Sequence, residues 1–442
     1  MKYLSVILLF LIFLSSCSFD NKSGIWKNSD NNIVKKVDLF ENFEKLYTQD
    51  KNFNSLVSLD SNLSVNLPAP QKKQKWNDEF YNSSNNSINF YYKNSNEITY
   101  KGKKLSRGKL NKKFLFDGSN IIVVDDSGNI IVYSINKNEI IYKFNFYKKK
   151  FKKVKKKINF ILDDKIIYIS DNIGYLYALD YYEKKILWAK NFKIPFRSNL
   201  KITDSKIILA DQDNTLYILN KYTGEKLKSF PTEQIILKND FKNSISLSKN
   251  LLFFLNTYGS LYSIDSKTNK IEWFVNLNPS LDLNFGDIFV SNPVIFHKEK
   301  IVISTYPYLY ILDANNGSTI LKKTINSVIK PIVSGDNLFL LTKDYLLVCL
   351  DINNGKVKFS TNINKEIADF LNTKKKLVSI KSLDILNSNL YLFLENSFIA
   401  VFSPQGKIQK ISKLKSKINS FPIYINGSIF YLNTKNQLVV FN

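Results

Sequence analysis

Between residue 120 and the last residue, 442, one pattern recurs about every 44 residues: an apolar run, a polar turn, a second apolar run, an Asn/Asp/Gly turn and a third short strand. Lys165-Ile-Ile-Tyr-Ile-Ser-Asp-Asn-Ile-Gly-Tyr-Leu-Tyr-Ala-Leu-Asp180 and Asn250-Leu-Leu-Phe-Phe-Leu-Asn-Thr-Tyr-Gly-Ser-Leu-Tyr-Ser-Ile-Asp265 show it side by side. A repeat of this length built only from strands specifies one four-stranded sheet per repeat, set radially as a β-propeller. The turn of the first hairpin falls at Gly128, Gly174, Asn214, Gly259, Tyr308, Tyr345, Ser397 and Asn436, with spacings of 37 to 52 residues that fit loops of varying length on a constant unit. The inner runs, such as Ile121-Ile-Val-Val124 and Leu338-Phe-Leu-Leu341, are continuously apolar, as strands buried on both faces must be.

The eighth unit is short. After Asn436 only Gln-Leu-Val-Val-Phe-Asn442 remains, so its outermost strand is missing, and an open edge there would invite aggregation. A strand from residues 76–104 is the expected remedy. The sequence thus predicts an all-β, eight-bladed β-propeller over residues 76–442, its ring closed by an N-terminal strand, with seven blades as the competing count.

Residues 1–16 read as a secretory signal: Lys2, then an apolar stretch from Leu4 to Leu14 that is too short to span a bilayer. Leu14-Ser15-Ser16-Cys17 resembles a bacterial lipobox, in which Cys17 becomes the acylated first residue, and Ser18 after it favours the outer membrane facing the periplasm. Residues 17–75, rich in Asn, Ser, Lys and Asp, read as a lipidated tether. Val34, Val37, Phe40, Phe43 and Tyr47 within it recur at helical spacing. With Cys17 acylated, Cys349 has no partner for an intrachain disulfide and reads as a buried small hydrophobe.

The formal net charge of +25 would permit binding to nucleic acid or an anionic surface, but an exported lipoprotein meets little nucleic acid. Eight lysines in residues 148–157 read as a solvated connection between blades, or as a contact for anionic head groups. No catalytic set emerges. His297 is the only histidine and lies at a turn between strands, no metal-ligand spacing or phosphate loop is present, and Asp180, Asp265, Asp313 and Asp351 sit where turn capping explains them.

Several repeats carry a further signature: Tyr177-Ala-Leu-Asp180 with Trp188, Tyr217-Ile-Leu-Asn220 with Thr223-Gly224-Glu225, Tyr262-Ser-Ile-Asp265 with Trp273, and Asn354-Gly355-Lys356 with Phe359. This resembles the pyrroloquinoline-quinone (PQQ) type propeller repeat, in which the terminal aromatic docks one blade on the next. Here that position is Tyr142, Trp188, Trp273 and Phe359, and the aromatic is lost at Lys228, Leu321 and Lys410. Quinoprotein dehydrogenases with this repeat bind the quinone and calcium in the central funnel, many beneath paired cysteines that this chain lacks. With its lipobox and tether, the chain more closely resembles the BamB-type lipoproteins of the outer-membrane β-barrel assembly machinery. That resemblance implies a scaffold without catalysis or cofactor. Its partners would be the POTRA domains of the barrel-forming subunit, the membrane through the lipid, and nascent outer-membrane proteins. In that family a blade-connecting loop with an apolar-plus-Arg pair contacts the POTRA domains, and Phe196 and Arg197 match it. An acidic contact one blade on is matched only by Asp240, with Phe241 to Asn243 departing from the pattern. A periplasmic quinoprotein-like dehydrogenase is the alternative reading, and an exported glycan-binding or glycan-cleaving propeller a third.

Overall fold

The computed structural model describes residues 53–59, 64–147, 151–234, 242–278, 288–373 and 379–442. Of residues 1–52 it describes only the backbone of a short antiparallel pair, Ser18–Phe19 with Trp26–Lys27. The chain divides into two units, Met1–Asp50 and Lys51–Asn442. Cys17, the helical pattern at 34–47, Asp240 and residues 148–150 of the lysine run lie outside the described residues.

The second unit is the propeller, with eight blades and the sheet order following the chain in the first six. Blades one to seven span residues 115–145, 158–191, 201–230, 244–276, 295–323, 332–362 and 380–413. The eighth contributes Ile423–Ile425, Ser428–Leu432 and Gln437–Phe441, and takes its outermost strand, Ile98–Lys104, from the N-terminal side by antiparallel pairing onto Gln437–Phe441. Ring closure therefore falls within the stretch the sequence singled out.

Burial follows position in the blade. The second and third strands, such as Asn120–Val124 and Asn129–Ser134, are buried almost throughout. The outermost strands are exposed, and in Lys185–Asn191 only Trp188 is buried. Turns are capped from within: the Asp171 carboxylate accepts the backbone N–H groups of Ile173, Gly174 and Tyr175, and Asp180, Asp265, Asp313 and Asp351 do the same at the outer hairpins.

A bulge recurs at one register position in blades one to seven, between the third and fourth strands. Each bulge immediately precedes the docking position. An extra residue on one strand re-aims the side chain that follows it, and here that side chain reaches the next blade. Trp188 donates its indole N–H to the Lys221 carbonyl at 2.9 Å, and Trp273 donates to Ala314 at 3.1 Å. Each ring lies on a turn glycine of the neighbouring blade. A Cβ on Gly224 would stand 2.5 Å from Trp188 Cε3, and Gly224, at φ +69°, is also in the left-handed region that glycine favours. Leu321 fills the same place over Gly355, so loss of the aromatic there keeps the joint.

Residues 71–93 form a clasp that makes one circuit of the central axis. They meet the inner strand or first turn of every blade in order. Trp76 pairs with Phe116 of blade one, and the Asn77 carbonyl accepts from Leu162 of blade two. Asp78 binds Lys201 of blade three, and the Ser83 and Ser84 carbonyls accept from Leu247 and Phe296 of blades four and five. Asn86 exchanges two hydrogen bonds with the Val333 backbone of blade six. Asn89–Phe90 adds a parallel strand inside Ile385 and Leu386 of blade seven, and Lys93 bonds Gly427 of blade eight. An aromatic cluster of Trp76, Tyr81, Phe90 and Tyr424 fills its centre, with ring centroids 4.9 to 6.2 Å apart across its contacts. Tyr81 holds φ +81°, a conformation costly for a bulky residue, between Trp76 and Phe90.

The predicted tether, residues 17–75, is corrected over its last part. Phe53 bonds Thr324, Val57 pairs with Ser360, and Val65 is buried with Ile332 and Phe339. Apolar side chains spaced among the polar ones give this segment a face to bury on blades five to seven.

A lysine-lined funnel and its rim as the candidate functional site

All the clasp contacts lie where the innermost strand of each blade turns into the second strand, at the opposite end from the turns of Gly128, Gly174 and Asn214. The central channel is thereby closed at one end, while the loops that join blades surround the other. A lysine recurs at or just before the inner strand in six of the eight blades: Lys113, Lys157, Lys201, Lys242, Lys330 and Lys381. Strand direction and register bring them all to the channel.

Several are neutralised in place. Lys201, with a wholly buried side chain, stands 2.6 Å from Asp78 and 2.8 Å from the Asn82 carbonyl. Lys113 stands 2.9 Å from Glu79. Lys381 stands 3.0 Å from Glu395, and Lys330 donates to the Asn85 carbonyl and Ser87 hydroxyl of the clasp. Burial alone would raise the Glu79 carboxyl, but the Lys113 and Lys242 charges overrule it and hold it at about 2. At Asp78 burial wins and its pKa rises, while burial lowers that of Lys201. Lys242 donates to the Asn159 amide oxygen near the open end. Its pKa is lowered first by burial and then by the like charges of Lys113, Arg197 and Lys157, with Glu79 opposing.

The loop 192–200, joining blades two and three, forms part of the open rim. Phe196 is 1% exposed, so the expectation of a presented ring is corrected: it packs edge-on against Phe192 at 5.2 Å and Tyr217 at 6.2 Å. The neighbouring backbone is tied down on both sides, Arg197 N–H to the Ala210 carbonyl at 3.0 Å and Asn243 N–H to the Arg197 carbonyl at 2.7 Å. Arg197 is half-buried and lines a rim cavity. Sequence reasoning missed the lysine set, although its signal was present: a lysine at or within two residues of the start of the innermost strand in six repeats. It also missed the role of His297, which sits in the seat of the clasp. His297 Nε2 lies 2.9 Å from the Gly335 carbonyl and Nδ1 3.4 Å from the Asn86 amide, and burial lowers its pKa. Cys349 is buried in blade six, as expected.

The channel does not suit a quinone with calcium. A hard cation needs several converging oxygens, yet the floor carboxylates Asp78 and Glu79 are each committed to a lysine. Among the described residues no three His, Cys, Asp or Glu side chains are grouped to hold a metal.

Repeated four-stranded blades joined through a ring-on-glycine contact define a β-propeller of PQQ-like repeats. Residues 152–361, a little under half of the chain, match the family described as outer membrane protein assembly factor BamB. No curated protein sequence matches it significantly. Among solved structures it is similar to BamB from Moraxella catarrhalis, with TM-score 0.60 and 14% identity over 78% of this chain and 99% of that one. It is also similar to the quinohemoprotein alcohol dehydrogenase from Comamonas testosteroni, with TM-score 0.60 and 10% identity over 84% of this chain and 81% of that one. A europium-containing methanol dehydrogenase gives TM-score 0.56 and 12% identity over 83% and 89% of the two chains. At such identities the likenesses concern the fold.

Proposed function

We propose that the chain is a non-catalytic scaffold of outer-membrane β-barrel assembly, anchored through lipid at Cys17 and facing the periplasm. On this reading the loop-bearing rim binds the POTRA domains of the barrel-forming subunit through Arg197, on a surface supported from beneath by Phe196. Asp240, outside the described residues, would add the acidic half of that contact. The observation that carries the reading is the family match over residues 152–361, which contains the whole of the rim loop with Arg197. Commitment of the floor carboxylates to lysines supports a binding role over the dehydrogenase alternative, which rests on likeness of fold. A guanidinium held by fixed backbone is well suited to an interface, because little is lost in ordering it.

The test is a pull-down from detergent-solubilised outer membranes with the wild-type chain and Arg197→Glu. Recovery of a large barrel protein with POTRA domains, lost in the variant, supports function and site. Equal recovery keeps the function and removes Arg197. No such partner with correctly folded bait refutes the reading.

A further inference from the structure

The joint between blades one and two is built differently from the one that follows it. At Gly224, and again at Gly317, Gly355 and Gly406, a side chain from the preceding blade's outer strand sits on a turn glycine. The aligned turn of blade two, Asp180-Tyr-Tyr-Glu-Lys184, ends in Lys184 at φ +57°, where Asn220-Lys-Tyr-Thr-Gly224 ends in glycine. A Cβ on Gly224 would crowd Trp188, so a lysine at the aligned position denies Tyr142 the same seat. Tyr142 instead stacks on Phe144 of its own strand, with ring centroids 6.2 Å apart. A cleft of about 730 Å³ remains at the joint, in the size range of small-ligand sites. It lies at the clasp end, bordered by Lys75 ahead of Trp76.

Tyr142, Tyr181, Tyr182, Ile140 and Ile141 give the cleft an apolar side. The Lys165 ammonium lies over the Tyr182 ring, 4.4 Å from its centroid, yet Tyr182 stays 66% exposed. The polar side is partly committed. Asp117 accepts from its own turn and from the Tyr181 hydroxyl at 2.7 Å. Among the described residues, Glu139, Asp164 and the Tyr142 hydroxyl have no hydrogen-bond or ion-pair partner. Burial raises the Tyr142 pKa, which keeps that hydroxyl a donor at neutral pH. Four lysines and three carboxylates line the cleft, so it holds no large net charge with which to select an ion. We propose that this cleft binds a neutral saccharide, one sugar ring stacked on Tyr182 and its hydroxyls held by Glu139, Asp164 and Tyr142. A pyranose presents a C–H face that suits an aromatic ring, and edge hydroxyls that both donate and accept. An apolar peptide would leave the two carboxylates desolvated without partners, and a phosphate would be repelled by them.

The test is calorimetric titration of the full chain with cellotriose, maltotriose and chitotriose. At least one should bind at a single saturable site, with Kd on the order of millimolar. Glu139→Ala should weaken it about tenfold, the scale of losing a hydrogen bond to a charged group. Tyr182→Ala should weaken it about fivefold, the scale of a lost aromatic contact. Tyr222→Ala, the exposed counterpart in blade three, where Trp188 fills the joint, should leave binding unchanged. Tyr142→Trp/Lys184→Gly installs that filled joint and should abolish binding. Glu139 and Tyr182 are exposed, so their variants keep the measurement decisive if the double variant fails to fold. Tyr182→Ala should still recover the barrel partner in the pull-down, because the cleft and the Arg197 rim lie at opposite ends of the channel, so the two readings fail separately. No saturable binding of any of the three sugars, equal weakening by Tyr222→Ala, or binding unaffected by Glu139→Ala and Tyr182→Ala would overturn the proposal.

Discussion

Removing one member of the Asp78–Lys201 pair tests whether the clasp is a structural part of the ring. The Lys201 side chain is wholly buried, that of Asp78 is 8% exposed, and the ammonium also serves the Asn82 carbonyl. Lys201→Met leaves a carboxylate buried against blade three with no counter-charge. Such single losses cost about 3–5 kcal/mol, and Asp78→Asn should cost the same in the opposite sense. Both pKa values move toward the neutral forms, with burial the leading cause at each, so desolvation already outweighs attraction within the pair. The double variant Asp78→Asn/Lys201→Met should therefore be less damaged than the two losses added, with a coupling of roughly 2–3 kcal/mol. Urea unfolding followed by tryptophan emission reads this, since Trp76 lies in the clasp, and an unchanged m-value licenses comparison of midpoints. Single losses that add to within about 0.5 kcal/mol would refute the reasoning, because uncoupled residues cannot be in the contact described.

Three further outcomes are expected. Glu79 is held at about 2 against an ordinary 4.5, so the unfolded chain binds this proton first as pH falls; the stabilisation is complete above pH 4.5 and lost toward pH 2, about 3 kcal/mol in all. In Glu79→Gln that part of the acid loss should vanish when urea midpoints are compared at pH 7 and pH 3. Gly224→Ala forces a Cβ onto the Trp188 ring at positive φ and should cost about 2–4 kcal/mol, read as a lowered urea midpoint with a shifted tryptophan emission. Incubation with PQQ and calcium should leave no bound chromophore after gel filtration; a stoichiometric quinone absorbance would restore the dehydrogenase reading.

The repeat was legible because propeller strands carry their burial in their composition. Runs such as Ile121-Ile-Val-Val124 have no polar face, and a turn residue marks each hairpin, so eight blades and an N-terminal closing strand could be read directly. The docking position was visible as Trp188, Trp273 and Phe359, although the bulge that aims it has no residue-type signature. The clasp was not legible. Its contacts are largely main-chain, made by Asn77, Ser83 and Ser84, and a run of Asn and Ser looks the same whether it lines a channel or a solvated loop. Phe196 was matched to a contact position through the family resemblance, and its burial was not legible because an aromatic on a connecting loop gives no sign of direction; Phe192 and Tyr217, which cover it, are brought there only by the fold. Leu321 shows the opposite limit: the sequence shows the aromatic lost there, and the fold shows an aliphatic side chain filling the same place over Gly355.

The ladder between Ile98–Lys104 and Gln437–Phe441 bears on the order of events as the chain is made. The segment that seals the ring is synthesised early, and its partner comes last. Until then the first strand has no edge to occupy, and the clasp between it and the tether has at most a partial set of inner strands to circle. Intermediate blades can form locally, since each is a meander of neighbours, but completion must wait for the most distant contact in the unit. Folding should therefore show a late, slow step governed by chain closure. During that interval the unpaired edges at both ends of the array are exposed, making it the period of greatest exposure to proteolysis and aggregation.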